Sequence, residues 1–160
     1  MSAREQAGES ITPEGLEALR AEVEQLESSG RREMAARIKA ARELGDLKEN
    51  ADYHIAKDDQ AHLETRIKRL RQKLRTAAVV EVDAGAEAFA FGRTAEILDE
   101  AAREVHTWTL VGSTEADLSQ GRLSVESPVG RALLDRAVGE TVSVDAPRGE
   151  RTYAVQRLVG

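Results

Sequence analysis

Two apolar stripes at helical spacing, facing each other across a short acidic tract, constrain this chain more than any other feature. Leu16, Leu19, Val23 and Leu26, then Met34, Ile38 and Ala41, recur at three- and four-residue intervals before the tract. Ala56, Gln60, Leu63, Ile67, Leu70 and Leu74 repeat the rhythm after it. The tract itself reads Gly45-Asp46-Leu47-Lys48-Glu49-Asn50-Ala51-Asp52-Tyr53-His54. Two helices of similar length joined by so short a link bury such stripes by folding back as an antiparallel pair. At about 1.5 Å per residue the arm is expected to be roughly 50 Å long, with carboxylates gathered at its reversal point.

The start of the first helix is spelled out by Ile11-Thr12-Pro13-Glu14-Gly15-Leu16: Thr12 caps, Pro13 takes the first helical position, and Ile11 staples onto Leu16. Within it, Ser28-Ser29-Gly30 is a weak point where the apolar stripe slips by one position, which predicts a bend or a change of coil pitch without a break. The second helix is expected from near Asp46 or Asn50 to about Thr76. Beyond Thr76 the pattern alternates, predicting strands over 77–82, 91–98, 105–111, 123–125, 141–144 and 152–158. Ser127 and Pro128 open one short helix to about Leu134. The reading is α+β: a flexible leader over 1–10, a coiled-coil hairpin over 11–76 with its tip at 45–54, and a domain over 77–160 with one helix against a largely antiparallel sheet.

Composition supports the division. Four of the five aromatics follow position 76. Residues 1–76 carry 15 basic and 15 acidic side chains, and residues 77–160 carry 8 and 14, so a neutral arm precedes an acidic domain. Neither has the net basic balance of a nucleic-acid-binding domain, and any polynucleotide contact is local or guided by a partner. The absence of cysteine excludes disulfides and thiolate zinc sites, and three scattered histidines argue against an imidazole cage. With no export signal and no apolar run of spanning length, the expectation is a soluble cytoplasmic protein that meets no membrane.

The acids of the tract admit two readings. Asp46 and Glu49 form a capping box for the second helix while Gly45 ends the first in a left-handed conformation. Alternatively, two carboxylates three residues apart at a solvent-facing apex share one divalent cation, most naturally magnesium. An isolated hairpin would hold the ion poorly, so the tip would be half of a site completed by a partner. Two-metal hydrolysis of phosphodiesters is chemistry that such a half-site can serve.

The tract from Gly45 to His54, followed by Ala56-Lys57, resembles the signature of bacterial Gre transcript cleavage factors of the GreA type. A second match runs through Val111-Gly112, Glu115-Ala116-Asp117, Ser124-Val125-Glu126-Ser127-Pro128 and Arg131-Ala132-Leu133-Leu134. Together the two cover the chain from about Ile11 to Leu158. The resemblance implies an elongation factor, monomeric and not an enzyme by itself. Its coiled coil would enter the secondary channel of RNA polymerase while an FKBP-like C-terminal domain grips the rim. Asp46 and Glu49 would help to hold the polymerase's second magnesium ion and so promote hydrolysis of the extruded 3′ end of backtracked RNA. Asn50 and Tyr53 would shape the tip, with packing an equal alternative for Tyr53. Arg42 and Lys57 match the basic patch that attracts the RNA backbone, although Arg42 can instead pair with a neighbouring acid such as Asp46. Glu126, Ser127 and Pro128 would belong to the polymerase-binding surface, a role compatible with a plain helix start.

Two departures from the family pattern stand out: Asp135 replaces a glycine after Leu-Leu, and residues 77–160 contain no lysine. The run Arg66, Lys68, Arg69, Arg71, Lys73 and Arg75 reads as a solvated helix face without aromatics for base stacking. His54, His62 and His106 are assigned packing or surface roles, and Trp108 a core position. The main rival reading is a non-cleaving Gre homologue that occupies and blocks the channel; the tip lacks the heavier acidity of inhibitory relatives. A chaperone or prolyl isomerase would need aromatics around a proline pocket, and few are available.

Overall fold

Residues 8–46 and 50–160 are described by a computed structural model, and they fall into two units. One spans Leu16–Thr76; the other joins the N-terminal segment through Gly15 to Ala77–Gly160.

In the first unit, helix α1 (Pro13–Gln25) passes through a π-helical turn at Leu26–Gly30 into α2 (Arg31–Arg42), and α3 (Ala51–Thr76) returns against them. Thr12 caps α1 as expected, its hydroxyl oxygen accepting the Gly15 N–H at 3.0 Å, and Ile11 is buried. The hairpin seam is Leu19, Val23, Ile38 and Ala41 against Ala56 and Ile67. The slip in the apolar stripe has a structural cause: a π turn takes in one extra residue and restores the seam beyond it. Ser28 and Ser29 donate to the carbonyls of Glu24 and Gln25 at 2.7 and 3.0 Å there. Gly30 keeps helical angles, so the arm continues unbroken.

The second unit begins earlier than its sequence suggested. Ser10–Ile11, expected at the boundary of leader and arm, forms strand β1, which pairs in parallel with β2 (Ala78–Val79). The strand expected over 77–82 stops after two residues, and Val79 and Val82 are left exposed. The strand expected from Phe91 starts only at Thr94, because residues 90–93 close a turn through the Arg93 N–H and the Ala90 carbonyl.

A five-stranded sheet follows, built from β3 (Thr94–Asp99), β4 (Glu104–Val111), β5 (Arg122–Ser124), β6 (Thr141–Ala146) and β7 (Gly149–Val159), in the order β5-β4-β3-β7-β6. Only the β4–β5 pair is parallel within it. Alternation along β3 sends Ala95, Ile97 and Asp99 to the covered face. There Phe89, Ile97, Leu110 and Val155 close over Leu133 of helix α4 (Pro128–Leu133). Trp108, expected in the core, sits half-buried at its margin, with the His106 ring stacked 4.7 Å away and Tyr153 at 6.0 Å.

Asp135, which ends the turn after α4, has φ of 62°, and its N–H donates to the Phe89 carbonyl at 2.9 Å. That left-handed geometry is what a glycine at this position would supply without strain. Asp135→Gly is expected to stabilise the domain by roughly 0.5 kcal/mol, since relief of strain outweighs the added chain entropy by a small margin. Equilibrium urea unfolding reads the difference.

Candidate functional site

The tip is built from the two helix ends that meet there. Helix α2 runs out through a loose turn in which Glu43 and Leu44 donate to the Lys39 and Ala41 carbonyls at 3.2 Å. Gly45 follows at φ of 130°, a conformation that a side chain would strain. Helix α3 starts at Ala51, and its cap is Asn50: the side-chain oxygen accepts the Tyr53 N–H at 3.1 Å. This corrects the capping-box reading, which gave that role to Asp46 and Glu49. Glu49 lies outside the described residues; Asp46 is described and exposed.

Asn50 also reaches back across the hairpin, its amide nitrogen donating to the Ala41 carbonyl at the end of α2. One half-buried side chain therefore satisfies an orphan acceptor of one helix and an orphan donor of the other. Asn50→Ala is expected to cost about 1–2 kcal/mol, the loss of a cap plus a partly buried hydrogen bond. Asn50→Asp should keep the cap and lose the strap. Amide exchange at Tyr53 separates the two variants, with fast exchange expected only for alanine.

Tyr53 packs in the same corner, half-buried, with the Arg42 guanidinium 5.9 Å from its ring centroid and the His54 ring edge-on at 5.6 Å. Lys57, one turn further along α3, is exposed and donates to Gln60 at 3.1 Å. The structure thus brings Asn50, Tyr53 and Arg42 into one cluster, with Asp46 beside it in a shallow hollow lined by Leu44, Asn50, Ala51 and Asp52. On the flank, Leu44 and Ile55 stay exposed and line a second groove with Arg37, Ala40, Ala41 and Asp52. Sequence reasoning missed this apolar flank; its signal was that both residues fall off the buried stripe.

Behind the tip, both edges of the seam are closed by ion pairs between helices. Arg37–Asp59 at 2.7 Å and Arg66–Glu22 bind one edge, and Arg31–Glu64 at 2.9 Å and Arg71–Glu27 the other. The Arg71 and Arg31 guanidiniums, through their hydrogen bonds, hold the Glu27 and Glu64 carboxyls below the usual carboxylate range. A depressed carboxyl stabilises the fold above its unfolded value, and the contribution disappears as pH falls through the folded one. The Arg71–Glu27 and Arg31–Glu64 pairs are therefore intact at neutral pH and lost in acid.

In the C-terminal unit, Ser127 caps α4 by accepting the Gly130 N–H at 3.1 Å, and Pro128 takes the first helical position. Glu126, exposed, accepts from the Ser113 hydroxyl at 2.9 Å. Glu126, Ser127 and Pro128 therefore present one continuous turn at the helix start.

Residues 9–79 match the family model for the N-terminal domain of transcription elongation factors GreA and GreB, and residues 84–158 match the model for their C-terminal domain. The chain belongs to the GreA/GreB family. It is 42% identical over 146 residues to the transcription elongation factor GreA of Rhodospirillum rubrum, covering 91% of this chain and 93% of that one. It is 43% identical over 150 residues to GreA of Hyphomonas neptunium, covering 93% and 96%. Among solved structures, the GreA factor homolog 1 of Thermus thermophilus aligns over 96% of this chain and 99% of its own, at 26% identity and a TM-score of 0.43. The family resemblance read from the two motifs is borne out. In this GreA/GreB member the N-terminal match takes in the whole tip, and the C-terminal match takes in Glu126, Ser127 and Pro128. Among the described residues no helix is long and apolar enough to cross a membrane.

Proposed function

We propose that this elongation factor inserts its helical hairpin into the secondary channel of bacterial RNA polymerase and stimulates the polymerase's own magnesium-dependent cleavage of backtracked RNA. The observation that carries the reading is the tip: Asn50 caps α3, and Asp46 stands exposed beside it at the apex of the hairpin.

Magnesium prefers hard oxygen donors and is commonly held by one or two carboxylates together with phosphate oxygens, which suits Asp46 and Glu49. Two carboxylates leave most of the ion's coordination positions open, which suits a site completed by a partner. When bound, such an ion lowers the pKa of a water and stabilises the leaving oxygen. The chain's own part is positional. Asp46 and Glu49 bring negative charge to the ion, and Asn50 ties the end of α2 to the start of α3. Arg42, held over Tyr53, and Lys57 attract the phosphates of the extruded 3′ end. The Glu126-Ser127-Pro128 turn docks on the polymerase.

The test is to add the purified factor and magnesium to stalled, backtracked transcription complexes and look for short 3′ RNA fragments. Release of fragments supports cleavage. No release, with polymerase binding demonstrated in the same samples, replaces this reading with that of a non-cleaving factor that occupies the channel.

A further inference from the structure

Strand β6 is an outer strand of the five-stranded sheet, with β7 on one side and no strand of the sheet on the other. The bulge that leads into it fixes which way its backbone groups point. The Gly139 N–H, at φ of 93°, donates to the Val155 carbonyl at 2.8 Å, and the Val155 N–H donates to the Glu140 carbonyl at 3.0 Å. The backbone groups of Val155 therefore face β6, and so, at a period of two, do those of Tyr153 and Arg151. Thr152 shows the alternation from the other side, since its carbonyl accepts the Glu100 N–H just beyond β3 at 3.0 Å. Tyr153 and Arg151 stand opposite Val142 and Val144. Those two valines thus spend their N–H and C=O on the ladder, while Thr141, Ser143 and Asp145 turn theirs outward. Among the described residues no hydrogen bond reaches that outward row. The side chains of Thr141, Ser143 and Asp145 are exposed, and Val142 and Val144 belong to the core. The strand also lacks the devices that shield an edge: Thr141–Ala146 contains no lysine or proline, and the bulge lies before it.

We propose that this edge pairs with the same edge of a second copy of the chain, β6 running antiparallel to β6 about a two-fold axis at Ser143. The outward row is symmetrical about that residue. With Ser143 opposite Ser143, Thr141 faces Asp145 and Val142 faces Val144, so every pair keeps its side of the sheet. The outward groups of the two copies then meet as hydrogen-bonded pairs, about six bonds in all. No carboxylate lies directly opposite another. Other registers fit less well. A slip of one residue sets Ser143 against Val144 and mixes the two faces. A slip of two sets Thr141 against Pro147, which has no N–H, or Asp145 against the bulge at Gly139. A foreign strand would meet only what any open edge offers, and the symmetry of the row is what selects a second copy. So short a pairing buries well under the roughly 1,200 Å² of a stable interface, so the dimer is a weak one that forms at high protein concentration. It does not use the Glu126-Ser127-Pro128 turn, which follows β5 at the opposite edge of the sheet.

The experiment begins with sedimentation of the full chain from about 10 µM to about 1 mM, where a dimer is expected to grow in at the upper end. Ser143→Lys and Ser143→Glu each set like charges against one another at the axis and are expected to stay monomeric. An equal mixture of the two variants should associate at least as well as the wild type, and added salt should weaken that association. The chain has no cysteine, so Ser143→Cys supplies a single thiol on the axis. Facing Cα atoms there are about 5.5 Å apart, within disulfide range. Under mild oxidation this variant should form a covalent dimer about tenfold faster than Thr107→Cys, an exposed position on β4 away from the edge. Ser143 is exposed, and unchanged circular dichroism and melting establish that each variant is folded. A wild type that stays monomeric to about 1 mM, with Ser143→Cys crosslinking no faster than the Thr107 control, overturns the proposal. A dimer that both charged variants form as well as the wild type overturns it in favour of another surface, and so does a mixture that associates no better than its parts. Neither polymerase nor RNA enters these measurements, so failure here leaves the tip reading untouched, and failure of that reading leaves this one standing.

Discussion

Asp46→Asn combined with Glu49→Gln is expected to reduce stimulated RNA cleavage by about 100-fold or more, while polymerase affinity stays within about threefold of the wild type. The substitutions keep size and shape, remove the charge and exchange one acceptor oxygen for an N–H₂ donor. If the carboxylates act on a magnesium ion shared with polymerase, charge is what the chemistry loses. The cap of α3 is provided by Asn50, and the seam, the cross-helix ion pairs and the Arg42–Tyr53 stack lie elsewhere. Binding and chemistry should therefore separate cleanly. The measurement is fragment release from backtracked complexes with the factor at saturation, alongside a direct binding titration. A double variant that binds polymerase poorly would move these acids from the chemistry to docking, and the half-site idea would fall. Asp46→Asn alone should show most of the loss, because one charge removed from a shared ion weakens the whole shell.

Much of this was legible because helix physics is local. The Thr12 cap, the Ser127 and Pro128 start of α4 and the slip at Ser28-Ser29-Gly30 each depend on a few adjacent residues, and each appears where the pattern put it. The seam followed from periodicity alone. What the sequence hid depends on pairings distant along the chain. β1 is two residues long and exists through its partner β2, far along the chain, so no periodicity could announce it. The basic run on α3 was read as one solvated helix face because the acids that hold Arg66 and Arg71, Glu22 and Glu27, sit on the other arm of the hairpin. The tip shows the same limit at short range. Asp46, Glu49 and Asn50 are all good capping residues, and only the observed start of α3 at Ala51 selects Asn50.

Glu115→Ala is expected to destabilise the C-terminal unit by about 3 kcal/mol, because it strips the acceptor from three donors at once. The Glu115 carboxylate takes the Thr12 N–H at 3.0 Å, the Thr12 hydroxyl and the Gly112 N–H at 3.1 Å. Thr12 is only 7% exposed, so water cannot replace the lost partner freely. Its hydroxyl is used in both directions, donating to Glu115 while accepting the Gly15 N–H. Loss of the carboxylate thus weakens the cap as well as the clamp. Gly15 fits the arrangement because a side chain there would overlap the Glu115 carboxylate. Glu115→Gln keeps the shape but turns an N–H₂ toward a donor and gives up the charge, so it should fall between wild type and alanine. Urea unfolding of the full chain orders the three proteins, and amide exchange at Thr12 and Gly112 locates the damage. A Glu115→Ala protein within about 0.5 kcal/mol of wild type, the usual range for surface substitutions, would show that these donors find water without difficulty and that the clamp contributes little. The expected order places a carboxylate from the second sequence match at the join of β1 with the sheet domain, which gives Glu115 a structural reason for its identity apart from any partner.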